Sequence, residues 1–322
     1  MIGKVNREEL NQYVFNRIGA VDDSVRVGPA YGEDTAAIDL GNRVLVVNTD
    51  PIIYAADRIG TLGVNIASND LAASGAEPRW LTVTYLLPDK EENYLDKITG
   101  QVDKVSKDLG IAIIGGHSEY VPGIERPFLS LTCLGLADRY IPTGGVQPGD
   151  RLILTKGAGI EATGILATDF RDELGKELPE SLLEEGAGRL DQLSVLSEGL
   201  ILNDYATAMH DPTEGGVVAG LFEMASASGL ALKIDRSEII VNSDTERICR
   251  TAGVDPLKVF GSGALLASVP ADTSREALEA VLNGGIKASI IGEARPSDEP
   301  CLEIDDEVFS ESSRDQLYDL WD

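Results

Sequence analysis

The sequence predicts a two-domain α/β (α+β) protein. Apolar segments of strand length alternate with amphipathic segments of helical period in both halves of the chain. A Pro/Gly-rich stretch over residues 141–150 separates the halves and suggests domains at 1–141 and 150–322. A chain of 322 residues is long enough for two cores.

In the first half, Leu10, Tyr13, Val14 and Ile18 recur at helical spacing, which predicts a helix over 7–18. Residues 21–28 read as a loop leading to Gly32-Glu33-Asp34. Strands at 35–40 and 43–48 flank the hairpin signal Gly41-Asn42, and the second runs into Thr49-Asp50. Residues 59–74 form a helix closed by Gly75, with Asn69-Asp70 inside it. Asn and Asp are weak helix formers, so a mid-helix pair suggests a task beyond packing. A strand at 80–87, an amphipathic helix at 89–109, a short buried strand at 111–114 and a strand at 128–137 complete this half. The 111–114 strand is expected to stop at Gly115-Gly116-His117-Ser118-Glu119.

The second half restarts with a strand at 151–155. Lys156-Gly157-Ala158-Gly159 then opens a helix to about 168. Residues 171–188 read as a surface excursion, and 191–203 as helix. Asp211-Pro212-Thr213 enters a helix over 214–228 closed by Gly229, with Asp211 placed to cap it and Pro212 at its first position. Strands at 230–234, 263–269 and 286–291 alternate with helices at 244–252 and 274–282.

Lys+Arg total 27 and Asp+Glu 54, a net charge of −27. This excludes nucleic acid and anionic membranes as partners, because phosphate contacts need cationic patches. Acidic residues fall at expected exposed positions, including Glu91-Glu92, Asp103, Glu184-Glu185 and Asp305-Asp306-Glu307. A dense acidic, lysine-poor surface fits adaptation to high intracellular salt, which screens self-repulsion. No apolar run approaches the roughly 20 residues of a membrane helix. The first ten residues are polar and charged, so the protein is expected in the cytoplasm. Cys133, Cys249 and Cys301 lie far apart without a zinc or disulfide spacing, and Cys133 reads as core. With only His117 and His210, a mechanism built on a His pair is not expected.

Chemistry must therefore rest on carboxylates. Asp34, Asp50, Asp70 and Asp211 each sit beside small or turn-forming residues. Taken singly, each also fits a cap or turn. Converging on one cleft, they would repel unless a cation sat between them, which points to Mg²⁺ and so to a nucleotide's phosphates. Gly115-Gly116 allows backbone approach to a ligand. Lys156 and its glycines resemble a weak phosphate loop, without Walker or Rossmann spacing. Two glycines, Gly215 and Gly216, inside a helix's first turn call for close approach of a ligand or a partner backbone.

Taken in order, these motifs resemble the AIR synthetase-related ATP-binding superfamily over nearly the whole chain. The matching segments are Gly32–Asp34, Thr49-Asp50, 69–78, Gly115–Glu119, Gly149-Asp150 and Asp211–Gly216. The likeness is greatest to HypE-like and archaeal AIR synthetase-related proteins. The resemblance implies a PurM-like fold whose N-terminal domain pairs strands across a homodimer, with ATP in the cleft between domains. It implies that Asp34, Asp50, Asp70 and Asp211 hold Mg²⁺, with Asp50, Asp70, His117 and Glu119 at the reaction. Gly32, Thr49, Asn69, Gly115, Gly116 and Lys156 would then line the nucleotide. The shared chemistry is ATP-dependent activation of a carbonyl, amide or phosphate oxygen by phosphoryl transfer. The acceptor is a small molecule or a partner protein. A HypE-like maturation factor and a nucleotide-binding scaffold without turnover are the alternatives. HypE proteins end in a cysteine, whereas this chain ends Leu320-Trp321-Asp322, with Cys301 well upstream. Selenophosphate synthetases carry a reactive Cys or Sec with a nearby Lys in an N-terminal glycine-rich loop, and residues 21–34 hold neither Cys nor Lys. Thiamine-monophosphate kinases usually have aspartate at the position of His117.

Overall fold

The computed structural model describes residues 5, 7–53, 57–88 and 93–321. Its first half is built on β1 (Val25–Val27), β2 (Ala36–Asp39), β3 (Val44–Ile52), β4 (Glu77–Leu87), β5 (Ala112–Tyr120) and β6 (Phe128–Ala137). These form a six-stranded sheet in the order β1-β2-β3-β6-β4-β5. All pairs are antiparallel except β4 with β5. Helices α1 (Arg7–Tyr13), α2 (Ile59–Ala73) and α3 (Tyr94–Asp108) accompany it. Helix α2 is buried along almost its whole length and ends at Gly75 with φ 76°. The expected helix at 89–109 begins at Tyr94 in the described residues; Asp89 and the acidic pair Glu91-Glu92 lie outside them.

The second half carries β7 (Arg151–Thr155), β8 (Ala208–His210), β9 (Ala231–Ile234), β10 (Leu266–Val269), β11 (Ala288–Arg295), β12 (Cys301–Ile304) and β13 (Glu307–Phe309). Their order is β13-β12-β9-β11-β7-β10-β8. Its helices are α4 (Ile160–Asp169), α5 (Arg171–Leu174), α6 (Glu180–Ala187), α7 (Leu196–Leu202), α8 (Gly216–Ser228), α9 (Ser243–Ala252), α10 (Ser274–Asn283) and α11 (Tyr318–Trp321). Two sheets with helices packed on them make the α/β (α+β) class expected from the alternating pattern. No helix among the described residues is long and apolar enough to cross a membrane.

The two halves share their cores. Ile160, Leu190 and Leu193 pack into the first sheet's cluster, and Ala72 and Ala73 of α2 pack among Ile153, Val195 and Leu202. A Cβ on Gly199 would meet the Ala72 carbonyl oxygen at 2.8 Å, so α2 and α7 pack backbone to backbone. This seam places the end of α2, with Asn69 and Asp70, against the second half.

Several elements differ from the sequence expectation. The strand expected at 111–114 continues to Tyr120 and is exposed throughout, because β5 is an edge strand with β4 on one side only. The Gly115–Glu119 motif therefore lies within a strand. Strand β3 runs to Ile52, so Thr49 and Asp50 sit inside it. Residues 171–188 are not a surface excursion: α5 and α6 bury Leu174, Leu182 and Leu183 in a cluster with Ile248 and Phe260. The loop read at 21–28 contains β1, and the helix read at 191–203 begins at Leu196. Asp211 does not cap the following helix; α8 starts at Gly216, with Gly215 in the cap position.

Candidate active site

Alternation along β3 puts Asn48 and Asp50 on one face and Thr49 on the other. Asn48 is buried, and its Nδ2 donates to Asp50 Oδ2 at 2.6 Å and Asp70 Oδ2 at 2.7 Å. Asp70 reaches this amide because α2 packs on the sheet. Thr49 is exposed on the opposite face and bonds Thr132 across the strands at 2.8 Å. Its side chain is therefore turned away from the aspartates.

Asp34 and Asp211 meet this pair from the loop before β2 and the loop after β8. Asp211 is 1% exposed, and neither of its carboxylate oxygens has a hydrogen-bond partner. The neighbouring Asp70 carboxyl can donate to it only when Asp70 itself holds a proton. Burial, followed by the charges of Asp50, Asp211 and Asp34, pushes Asp70 well above the usual carboxylate range. Burial and then Asp34 do the same to Asp211, with His210 opposing. Four carboxylates thus act on one another in a poorly solvated space. Among the described residues, no three His, Cys, Asp or Glu side chains form a ready metal cage. An all-oxygen set with orphaned lone pairs nevertheless fits a hard cation such as Mg²⁺, which keeps waters and phosphate oxygens among its ligands.

A cavity of about 760 Å³ opens beside Asp34, walled in part by Arg7, Gly32, Glu33, Glu223 and Arg314. Such a volume suits a nucleotide-sized ligand.

His210, which the sequence reading set aside, lies 2% exposed between two carboxylates. Its Nδ1 is 2.6 Å from Asp34 Oδ2 and its Nε2 2.9 Å from Glu223 Oε2. The charges of these partners outweigh burial and hold the imidazole well above its usual pKa. Asn48 was also missed. The signals available were a histidine immediately before Asp211, and an asparagine two residues before Asp50, a spacing that shares one strand face.

Other expected site residues lie elsewhere. In the cross-sheet row Asp50, Leu131, Val83, Gly116, three strand spacings separate Asp50 from β5, about 14 Å at roughly 4.8 Å each. Within one chain, His117 and Glu119 are therefore not brought to the aspartates; they pair with each other at 3.2 Å on the exposed edge. A Cβ on Gly116 would fall 1.9 Å from the Val83 carbonyl oxygen, so the strand pairing itself demands glycine there. Asn69 and Lys156 both grip the 192–195 segment. Asn69 Nδ2 donates to the Leu193 carbonyl at 2.8 Å, and its Oδ1 accepts from the Val195 amide at 2.9 Å. Lys156 Nζ donates to the Ser194 carbonyl at 2.6 Å and pairs with buried Glu198 at 2.8 Å. The Lys156 ammonium is thus held against the 192–198 segment, where burial lowers its pKa against the pull of Glu198.

The model of the AIR synthase related protein N-terminal domain matches residues 32–137, and that of its C-terminal domain matches 147–304. The chain belongs to the AIR synthase-related family. Within it, the chain is 29% identical to a hydrogenase expression/formation protein of Methanocaldococcus jannaschii, over 91% of this chain and 88% of that one. It is 27% identical to the carbamoyl dehydratase HypE of Rhizobium leguminosarum, over 81% and 76%. A solved structure of the hydrogenase maturation protein HypE in complex with ATP superposes with a TM-score of 0.69 at 23% identity, covering 90% of this chain and 91% of that one. That structure shares the fold.

Proposed function

We propose that this AIR synthase-related protein is a Mg²⁺-ATP-dependent enzyme that activates a carbonyl or amide oxygen by phosphoryl transfer, as a carbamoyl dehydratase would. The observation that carries it is Asp211, buried with both oxygens orphaned beside Asp34, Asp50 and Asp70. Such an arrangement is costly unless a cation completes it. Asp34, Asp50, Asp70 and Asp211 would hold the metal, and Asn48 fixes the carboxylates of Asp50 and Asp70. Bound Mg²⁺ supplies charge neutralisation between the phosphate oxygens. The protein's own contribution is positioning: buried carboxylates held by Asn48 and a cavity beside Asp34. The acceptor amide oxygen takes the γ-phosphoryl group with ADP as the leaving group, and phosphate then departs as the amide nitrogen gives up both its protons and the C–N bond becomes a nitrile triple bond.

The working unit in this proposal is a cytoplasmic homodimer. Strand β5 is an unpaired edge with Ile113, Ile114 and Tyr120 exposed, and pairing it with a second copy would cover that edge. The acidic surface suits a salt-rich cytoplasm. A HypE-like action on a partner protein is the second reading, favoured by the HypE relatives. Cys301, half buried within β12, has no loop or tail setting from which to act as a carrier.

The test is binding of a non-hydrolysable ATP analogue at high salt, with and without Mg²⁺, for wild type and Asp70→Asn. The proposal requires metal-dependent binding that the substitution abolishes. Binding that ignores both metal and substitution overturns it.

A further inference from the structure

The chemistry above makes no use of His210, yet this side chain joins the two halves at the aspartate cluster. Both atoms facing the ring are carboxylate oxygens, Asp34 Oδ2 on one side and Glu223 Oε2 on the other. Ionised carboxylates only accept, so a neutral imidazole satisfies one of them, and a ring donating from both nitrogens satisfies both. Asp34 belongs to the first half, whereas His210 and Glu223 belong to the second.

Asp34 has little else to hold it. Among the described residues, the other hydrogen bond to its carboxylate comes from Thr143 Oγ1, at 3.5 Å. His210 also immediately precedes Asp211 at the end of β8. The backbone that aims Asp211 at the cluster thus carries the donor that aims Asp34. Glu223, on the adjacent α8, fixes the ring from behind.

We propose that His210 is a positioning residue that sets the Asp34 carboxylate for the divalent cation of the nucleotide complex. It rests on the metal-nucleotide reading proposed above. Partners that orient a metal's carboxylate ligands typically change affinity by about 10–100-fold when lost.

Two substitutions separate positioning from charge. Both His210→Gln and His210→Asn put a neutral amide in place of the imidazole. The glutamine amide nitrogen stands near the former Nε2 and loses Asp34; the asparagine amide nitrogen stands near the former Nδ1 and keeps it. The assay is Mn²⁺ binding to the full chain followed by electron paramagnetic resonance, with a non-hydrolysable ATP analogue present, alongside the metal concentration for half-maximal ATP turnover. His210→Gln is expected to weaken Mn²⁺ binding about 10–100-fold, and His210→Asn to recover most of it. Should His210→Gln not fold, Glu223→Leu releases the ring and is expected to weaken binding in the same direction. Equal shifts in both His210 variants, a gain in affinity, or no change overturn the positioning role while leaving the metal site standing. A wild type that binds the analogue without metal overturns both.

Discussion

Glu161→Gln is expected to stabilise the protein at pH 8 and to do so far less at pH 5. Glu161 lies in the first turn of α4, 5% exposed, and its Oε2 has no hydrogen-bond partner. The Ser262 hydroxyl favours the ionised form from nearby, but it too reaches no hydrogen bond. Burial, reinforced by Asp315 and Glu214, pushes the carboxyl from 4.5 to about 7. A carboxyl with a raised folded-state pKa holds its proton more tightly when folded. Its stabilising contribution is therefore full below about pH 4.5 and is lost as pH rises through about 7. At about 1.36 kcal/mol per pKa unit, the loss is about 1 kcal/mol by pH 5 and about 3 kcal/mol by pH 8. Glutamine has no charge to bury and offers the Ser262 hydroxyl a donor. The advantage of the variant should thus widen by about 2 kcal/mol between pH 5 and pH 8. Urea unfolding in a Trp80→Phe background reads it out, since Trp321 then reports alone from its packing against Phe170 and Phe260. A difference that stays flat or shrinks as pH rises refutes the burial argument.

Asp211→Asn should raise the stability of the ligand-free protein by about 1–3 kcal/mol, by removing a buried carboxyl whose oxygens lack hydrogen-bond partners, while abolishing Mg²⁺-dependent analogue binding; calorimetry with and without nucleotide measures both. Lys156→Met should cost about 3–5 kcal/mol in denaturant unfolding, because it strands the buried Glu198, and adding Glu198→Gln should restore most of it. Ile114→Asp on the exposed β5 edge should convert a homodimer to monomer by light scattering, and a wild type already monomeric at micromolar concentration would count against the proposed pairing. Raising KCl from about 0.1 M to about 2 M should raise the melting temperature steeply, as the repulsion within a net charge of −27 is screened; a flat profile would remove the high-salt reading.

What the sequence disclosed depended on whether a local pattern had a local cause. The hairpin around Gly41-Asn42, the Gly75 and Gly229 helix ends and the 128–137 strand were legible because turn chemistry and period act within a few residues. The four aspartates stood out in the sequence because each lies next to a small or turn-forming residue or, for Asp70, in mid-helix, where a carboxylate is a poor packing choice. Other features depended on tertiary neighbours. An apolar start at Ile113-Ile114 looks the same in a buried strand and in an edge strand, and only the strand order makes β5 exposed. Residues 171–188 are charged enough to read as surface, yet their leucines meet α9 and the C-terminal aromatics far along the chain. The roles of Asn69 and Lys156 depend on the 192–195 segment, more than 30 residues away from either. His210 was discounted by counting histidines. Its role comes from Asp34, 176 positions away, which no spacing rule can reach.

The Asp211–Gly216 segment shows how structure separates function from packing within one motif. Two glycines in a helix's first turn pointed to close approach by a ligand or a partner backbone. The backbone that approaches is the chain's own. A Cβ on Gly215 would meet the Ser313 carbonyl oxygen at 2.4 Å, and one on Gly216 the Val259 and Leu257 carbonyl oxygens at 2.5 and 2.7 Å. The Gly215 amide donates to Asp315 at 2.7 Å, so a carboxylate from the C-terminal segment satisfies the α8 N-terminus in place of Asp211. Burial raises that Asp315 carboxyl to about 7. The Gly261 amide donates to the Thr213 carbonyl at 3.0 Å, tying the segment to the loop before β10. Each of these groups has a partner within the chain, and packing accounts for it. Asp211 alone among them is a buried carboxyl whose two oxygens have no hydrogen-bond partner other than a protonated Asp70. Folding gives no reason to keep a carboxylate there, and a neutral amide would cost less. The residue that packing cannot explain is the one to which the chemistry is assigned, and that is why Asp211→Asn should separate stability from binding.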